Sequence, residues 1–432
     1  MLAIYYCVII VVGLLISPVL LFKKRARAGF SQKLGFVPEQ VFTGDGERPL
    51  WFHSVSVGEF NALWPLLREL HEKYPSLPLA VSTTTETGHN LARERAGSFA
   101  RVFYFPYDLP WSASNWLTAI NPAAVLIVET EVWPGFYQQC RQRNIALLIV
   151  NGRMSPRSYS RYKRLSWLFS RVFGCAAQIL AQSDEEAGRY RDITGSGVPI
   201  TVTGNLKFDG FKPMPPAEQE ALRAQLGIGN QLVLIGGSTH ESEEEPLLKA
   251  ARELKEKGID ARLILVPRHP ERFARVAELI ESYGFRARRF SRQETFADGR
   301  DVYLLDAIGH LMRFYSVADV AFVGGTIITL GGHNVAEPYT YSVPVVSGPH
   351  VQKTRDSARA LESLGAMLIA RDAQHVTESI VQLSGNPAQR KQMGESGKRW
   401  VEQSQGAVNR TLALIEKTGV IADSAKLAEA KR

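Results

Sequence analysis

The sequence predicts an α/β protein made of two doubly wound halves behind an apolar N-terminal segment. Three observations carry that expectation. Continuous apolar runs of strand length alternate with helical patterns, first over residues 50–205 and again from Gln231. Such runs suit parallel strands covered on both faces, and their alternation with helices means repeated βαβ units. Gly210-Phe-Lys-Pro-Met-Pro-Pro216 separates the two series as a linker, and Met1–Phe22 contains no charged residue.

Taken in order, Met1–Phe22 is close to the roughly 20 residues that cross a bilayer. Lys23, Lys24, Arg25 and Arg27 follow it, so the positive charge comes after the apolar core, and no Ala-x-Ala site closes it. That order argues for an anchor rather than a cleaved signal, with the rest of the chain on the cytoplasmic side. Leu50–Val57 reads as a strand, with a helix to Tyr74 because Phe60, Leu63, Leu66, Leu67 and Leu70 recur at helical spacing. Strands are expected next at Leu77–Thr84, Arg101–Phe105, Ala124–Glu129, Ile145–Asn151, Gln178–Gln182 and Thr201–Asn205. Helices are expected at Trp111–Ile120, Pro134–Arg143 and Ser158–Phe173. Beyond the linker come strands Leu232–Ile235, Arg262–Val266, Asp301–Leu305, Val320–Val323 and Pro344–Val346. Their helices fall at Glu243–Lys257, Pro270–Tyr283, Gly309–Ser316 and Val335–Tyr341, and Pro387–Gln403 and Ala407–Lys417 close the chain. The expected divisions are an anchor at 1–22, a first domain at 23–209, a linker at 210–218 and a second domain at 219–432, with a cleft between the domains.

At 432 residues the chain has room for two domains, and 45% hydrophobic with 22% charged residues is an ordinary globular balance. A net charge of +8 favours an anionic partner such as a nucleotide, a phosphorylated lipid or a membrane surface. No aromatic-rich basic module or zinc-finger spacing points to nucleic acid. Cys7, Cys140 and Cys175 are too few and too scattered for a disulfide framework or a thiolate metal site. The histidines His53, His240, His269 and His333 have no zinc spacing, so no metal is expected.

The chemistry-bearing residues collect where strands end. Glu59 falls on a strand-to-helix turn, where ligands of open α/β sheets bind. On position alone it reads first as an acidic residue favoured by the first turn of a helix, and second as a candidate general base. Glu129-Thr-Glu131 and Lys207 follow two further strands and read either as site residues or as a structural ion pair. In the second half, Gly236-Gly237, Gly324-Gly325 and Gly331-Gly332 stand at expected strand ends or before a helix, where backbone N–H groups can meet a nucleotide phosphate. Arg268 and His269 follow another strand and add phosphate-binding capacity. Neither a G-x-G-x-x-G fingerprint nor a P-loop is present.

The motifs, in order, are His-Ser-Val-Ser-Val-Gly-Glu (53–59), Pro-Tyr-Asp-Leu-Pro (106–110), Glu-Thr-Glu-Val-Trp-Pro (129–134) and Thr-Gly-Asn-Leu-Lys-Phe-Asp (203–209). They continue with Ser-Thr-His-Glu (238–241), Val-Pro-Arg-His-Pro-Glu-Arg (266–272), Ala-Phe-Val-Gly-Gly (321–325), Gly-Gly-His-Asn (331–334) with Glu337, and Gly-Pro-His (348–350). The series resembles the 3-deoxy-D-manno-oct-2-ulosonic acid (Kdo) transferases of lipid A biosynthesis. That resemblance implies a GT-B glycosyltransferase of two Rossmann-like domains, with CMP-Kdo as donor, a lipid A precursor (lipid IVA) as acceptor, no further cofactor, and inner-membrane attachment. It puts the general base at Glu59 and the transition-state groups at Glu129 and Lys207. It puts the CMP contacts at Pro267, Arg268, Ile308, Gly309, His310, Asn334, Val335, Ala336 and Glu337. Two departures stand out: Gly309-His310-Leu311 replaces a common Gly-Glu-Leu, and Asn334-Val335-Ala336-Glu337 replaces a common Asn-Pro-Leu-Glu. The alternative is another membrane-associated GT-B enzyme that uses a UDP-sugar or epimerises a nucleotide sugar.

Overall fold

The computed structural model describes residues 5–13, 15, 27–41, 48–422 and 424. Two compact units emerge, residues 1–210 with 404–432, and residues 211–403. The first carries a seven-stranded sheet of β1 (Leu50–His53), β2 (Leu79–Thr83), β3 (Ala100–Tyr104), β4 (Ala124–Val128), β5 (Ala146–Gly152), β6 (Gln178–Ala181) and β7 (Ile200–Val202), in the order 3-2-1-4-5-6-7. The second carries β8 (Leu232–Thr239), β9 (Ala261–Pro267), β10 (Arg286–Arg289), β11 (Asp301–Leu304), β12 (Val320–Val323), β13 (Val345–Ser347) and β14 (Met367–Ile369), in the order 10-11-9-8-12-13-14. Every pairing is parallel. The strand order reverses between β1 and β4 in one sheet and between β8 and β12 in the other, and such reversals open ligand crevices at the carboxyl ends.

Several expected boundaries move. β1 stops at His53, and Ser56 caps the helix Val57–Lys73 by accepting the Glu59 N–H at 3.4 Å. β8 runs through Gly236 and Gly237 to Thr239. A Cβ on Gly237 would lie 2.1 Å from the Tyr315 hydroxyl, so this glycine serves close packing rather than a turn. A helix starts at Pro216, inside the expected linker. The last helix, Ala407–Lys417, was expected with the second domain but joins the first unit. Its Ala407, Val408, Leu412 and Ile415 share a core with Leu66, Leu67 and Leu70, and Glu416 pairs with Lys73 at 2.7 Å. Asp209 also accepts the N–H groups of Gly406 and Val408, fixing the returning chain.

Of the expected anchor, residues 1–4, 14 and 16–22 lie outside the described residues. Among the described residues no helix is long and apolar enough to cross a membrane. Residues 5–13 are helical, and the Tyr5 hydroxyl donates to Asp108 at 2.6 Å. Asp108 also accepts the N–H groups of Gly135 and Phe136, so it caps the helix Pro134–Gln142. Val8, Val11, Val12 and Leu15 remain exposed.

Candidate functional site

In the first unit, the first turn of the helix after β1 carries Glu59 and the turn after β4 carries Glu129, on either side of the strand-order reversal. Glu59 accepts the Val55 N–H at 2.6 Å. Burial pushes its carboxyl up to about 8 against that hydrogen bond; the charges of Glu129 and Glu131 push the same way, and Lys207 pulls it down. Glu129 sits at φ 60°, in the left-handed region, with its N–H on the Val150 carbonyl at 2.9 Å. Its carboxylate meets Lys207 Nζ at 2.8 Å. Lys207 arrives from a 3-10 turn, Leu206–Gly210, beyond the edge strand β7. Asn151, near the end of β5, draws that turn back across the sheet by accepting the Leu206 N–H at 3.0 Å. The three residues expected at three strand ends therefore share one electrostatic neighbourhood.

Glu131 belongs to the same group. Burial and the neighbouring Glu129 raise its carboxyl to about 7. The motif held this residue, but sequence spacing gave no sign that it would be desolvated. His53, at the end of β1, is a core residue: fully buried, stacked on Phe105 at 3.8 Å, and lowered to about 3 by burial.

In the second unit, β9, β8 and β12 are neighbours, and their carboxyl ends present Pro267-Arg268, Thr239-His240 and the loop leading to Asn334. Pro267 ends β9, and Arg268 is exposed with its guanidinium free of hydrogen-bond and ion-pair partners among the described residues. By contrast Arg272 is held by Glu244 through two contacts, 2.7 and 3.0 Å. Asn334 donates to Glu337 at 3.2 Å and accepts the Ala336 N–H at 3.2 Å. Burial lifts the Glu337 carboxyl to about 7, opposed by Asn334 and Arg268. Val335 and Ala336 are wholly buried. Ile308 is 57% exposed, Gly309 has φ 90°, and the His310 ring lies 4.9 Å from Phe290.

One expectation is corrected here. The N–H groups of the Gly324-Gly325-Thr326 turn were expected to face a phosphate. Instead the buried Glu243 carboxylate accepts from Gly325 at 2.7 Å, from Thr326 and Ile327 at 2.9 Å, and from His240 at 2.9 Å. Glu243 thus acts as a built-in anion for this turn and fixes it to the end of β8. The acidic run therefore does more than favour a helix terminus. A second pairing escaped sequence reasoning: His240 Nε2 lies 2.8 Å from His333 Nε2, with the rings parallel.

Comparison with known proteins places the chain in a family and a fold. Residues 28–210 match the family described as 3-Deoxy-D-manno-octulosonic-acid transferase (kdotransferase). A 3-deoxy-D-manno-octulosonic acid transferase of Haemophilus influenzae is 32% identical over 369 residues, 85% of this chain and 86% of the relative. One from Bordetella pertussis is also 32% identical, over 85% of this chain and 87% of its own length. Among solved structures, MurG of Acinetobacter baumannii superimposes with a TM-score of 0.53 over 86% of this chain and 99% of its own, at 15% identity, which establishes the GT-B type of α/β fold. On the identity and coverage of these relatives, the chain belongs to the 3-deoxy-D-manno-octulosonic acid transferase family.

Proposed function

We propose that the chain moves Kdo from CMP-Kdo to a lipid A precursor, lipid IVA, by an inverting single displacement. The observation that carries this reading is the grouping of Glu59, Glu129 and Lys207 at the strand-order reversal, in a chain of this family. Glu59 takes the proton of an acceptor sugar hydroxyl, and that oxygen forms the new bond to the anomeric carbon. The bond from that carbon to the phosphate oxygen breaks, and CMP leaves with the electron pair. A carboxyl held near 8 is a strong base once ionised, which favours proton abstraction. Lys207, with Glu129 setting its position, offsets charge near the reacting sugar. In the second unit Arg268 supplies positive charge to the leaving phosphate, while Asn334, Glu337 and the backbone of Ile308–His310, Val335 and Ala336 hold the nucleoside. Met1–Phe22, followed by four basic residues, supports attachment to the inner membrane with both units on the cytoplasmic side.

The test is mass spectrometry of the lipid after the full chain is incubated with CMP-Kdo and a tetraacylated lipid A precursor. The expected product carries added Kdo, and CMP appears in step with it. Unchanged lipid, or equal product from a UDP-sugar, overturns the reading.

A further inference from the structure

The pair His240–His333 is used by none of the steps above. It lies at the strand-order reversal of the second sheet, His240 directly after β8 and His333 in the loop after β12. A separation of 2.8 Å between the two Nε2 atoms requires one ring to donate and the other to accept. Each ring keeps its Nδ1 with no hydrogen bond to the described residues. The surroundings are rich in basic groups. The His269 ring is 5.2 Å from His240, Arg268 acts on both rings, and Lys353 acts on His333. The acids nearby hold other partners: Glu244 pairs with Arg272 while still acting on His240, Glu241 with Arg275, Glu243 with four N–H groups, and Glu337 with Asn334. Burial first, then the neighbouring basic groups, lower both histidines to about 4: His269, Arg272 and Arg268 act on His240 against an opposing pull from Glu244, and His240, Arg268, Lys353 and His269 act on His333, so the free pair is neutral at pH 7.

We infer that His240 and His333 bind the donor's phosphate as a proton-sharing pair that takes up one proton when the nucleotide arrives. Resting on the donor assignment proposed above, this adds a charge that exists only in the complex. A phosphate dianion beside the pair reverses the balance that keeps it neutral, because an opposite charge within a few ångströms favours the ionised form. The added proton sits on an Nδ1, and the Nε2–H···Nε2 bond spreads the charge over both rings. The site is thereby spared a permanent cluster of repelling cations, and the extra positive charge is present while CMP departs.

Calorimetric titration of CMP into the full chain near pH 7, in buffers of low and high ionisation enthalpy, counts the protons exchanged. The expected result is uptake of close to one proton per CMP. Affinity should fall about tenfold per pH unit between the pH at which the free pair titrates and that at which the bound pair titrates, and level off above the latter. CMP itself cannot supply this signal. Its phosphate, with a second pKa near 6, only loses protons on meeting cations. His240→Asn and His333→Asn should each abolish uptake while weaker CMP binding persists through Arg268. Glu337→Gln should keep it, and uptake that vanishes in Glu337→Gln but survives in both histidine variants overturns the inference. CMP binding by the unaltered chain without proton uptake also overturns it and leaves the donor assignment standing. Absence of CMP binding overturns both.

Discussion

Lys207 Nζ and Glu129 Oε1 lie 2.8 Å apart although 78 residues separate them in the chain. Both side chains are partly exposed, at 32% and 19%, so the contact adds at most about 1 kcal/mol to stability. Its consequence lies in the field at Glu59, which Lys207 lowers and Glu129 raises. Lys207→Met should therefore move the acidic limb of the kcat/KM profile to higher pH and reduce transfer by about 10²-fold, the loss typical of one electrostatic group. Lys207→Arg should restore the limb. A profile unchanged by Lys207→Met would detach this residue from Glu59.

Glu129 occupies a backbone conformation, φ 60°, that disfavours residues with a Cβ by roughly 1–2 kcal/mol. Glycine removes that cost while giving up an ion pair worth about as much or less. Glu129→Gly should leave the midpoint of urea unfolding equal or higher, yet suppress transfer strongly. Loss of stability together with loss of activity would show that the carboxylate is mainly a structural partner.

Glu243 makes the opposite forecast. Four backbone N–H groups end on its carboxylate, and hydrogen bonds to charged groups are worth about 1.5–3 kcal/mol each. Glu243→Ala should cost more than about 3 kcal/mol in denaturant unfolding and weaken CMP binding through the displaced His240. Glu243→Gln, which keeps one accepting oxygen, should lose less on both counts.

Two arginines four residues apart separate binding from folding. Arg268→Ala removes an exposed, unpaired guanidinium, so CMP affinity should fall by about 1.5–3 kcal/mol with unfolding unchanged. Arg272→Ala strands the buried Glu244, so unfolding should shift while the donor contact is spared directly. Equal effects of the two variants on calorimetric CMP affinity would misplace the phosphate.

The sheets were legible because their central strands are unbroken apolar runs: Ala124–Val128 is buried at all five positions. The edges were not. β10 reads Arg-Ala-Arg-Arg and lies open to solvent and to Asp301, so it lacks the apolar signal of a buried strand. β14, three residues long at the other edge, is too short to register a period. The positions of Glu59 and Glu129 were readable from strand ends, whereas their meeting with Lys207 depends on Asn151 pulling back a loop from β7. Glycine pairs were misread for a related reason: the partner of the Gly324–Thr326 turn is a carboxylate some 80 residues earlier, which spacing cannot reveal.

Glu59 offers the sharpest test, because its two readings, base or helix-end acid, make different demands on pH. Its folded carboxyl stands near 8, above the ordinary value of 4.5, chiefly from burial. The protonated form is thus preferred by the fold, and its contribution to stability is complete at low pH and lost as pH rises through about 8. Glu59→Gln mimics that form and retains an oxygen for the Val55 N–H. Its melting temperature should match the parent near pH 5 and exceed it near pH 9. Activity should run the other way: the parent's kcat/KM should climb tenfold per unit up to about pH 8, since only the ionised carboxylate accepts a proton. In Glu59→Gln that limb should vanish, and transfer should fall by about 10²- to 10⁴-fold. CMP affinity should stay within about threefold, on the expectation that the nucleotide is held by the other unit. A charge serving only the helix terminus would be worth about 0.3–1 kcal/mol and would leave the rate profile alone. Near-parental transfer by Glu59→Gln at pH 8 would remove the general base from this residue.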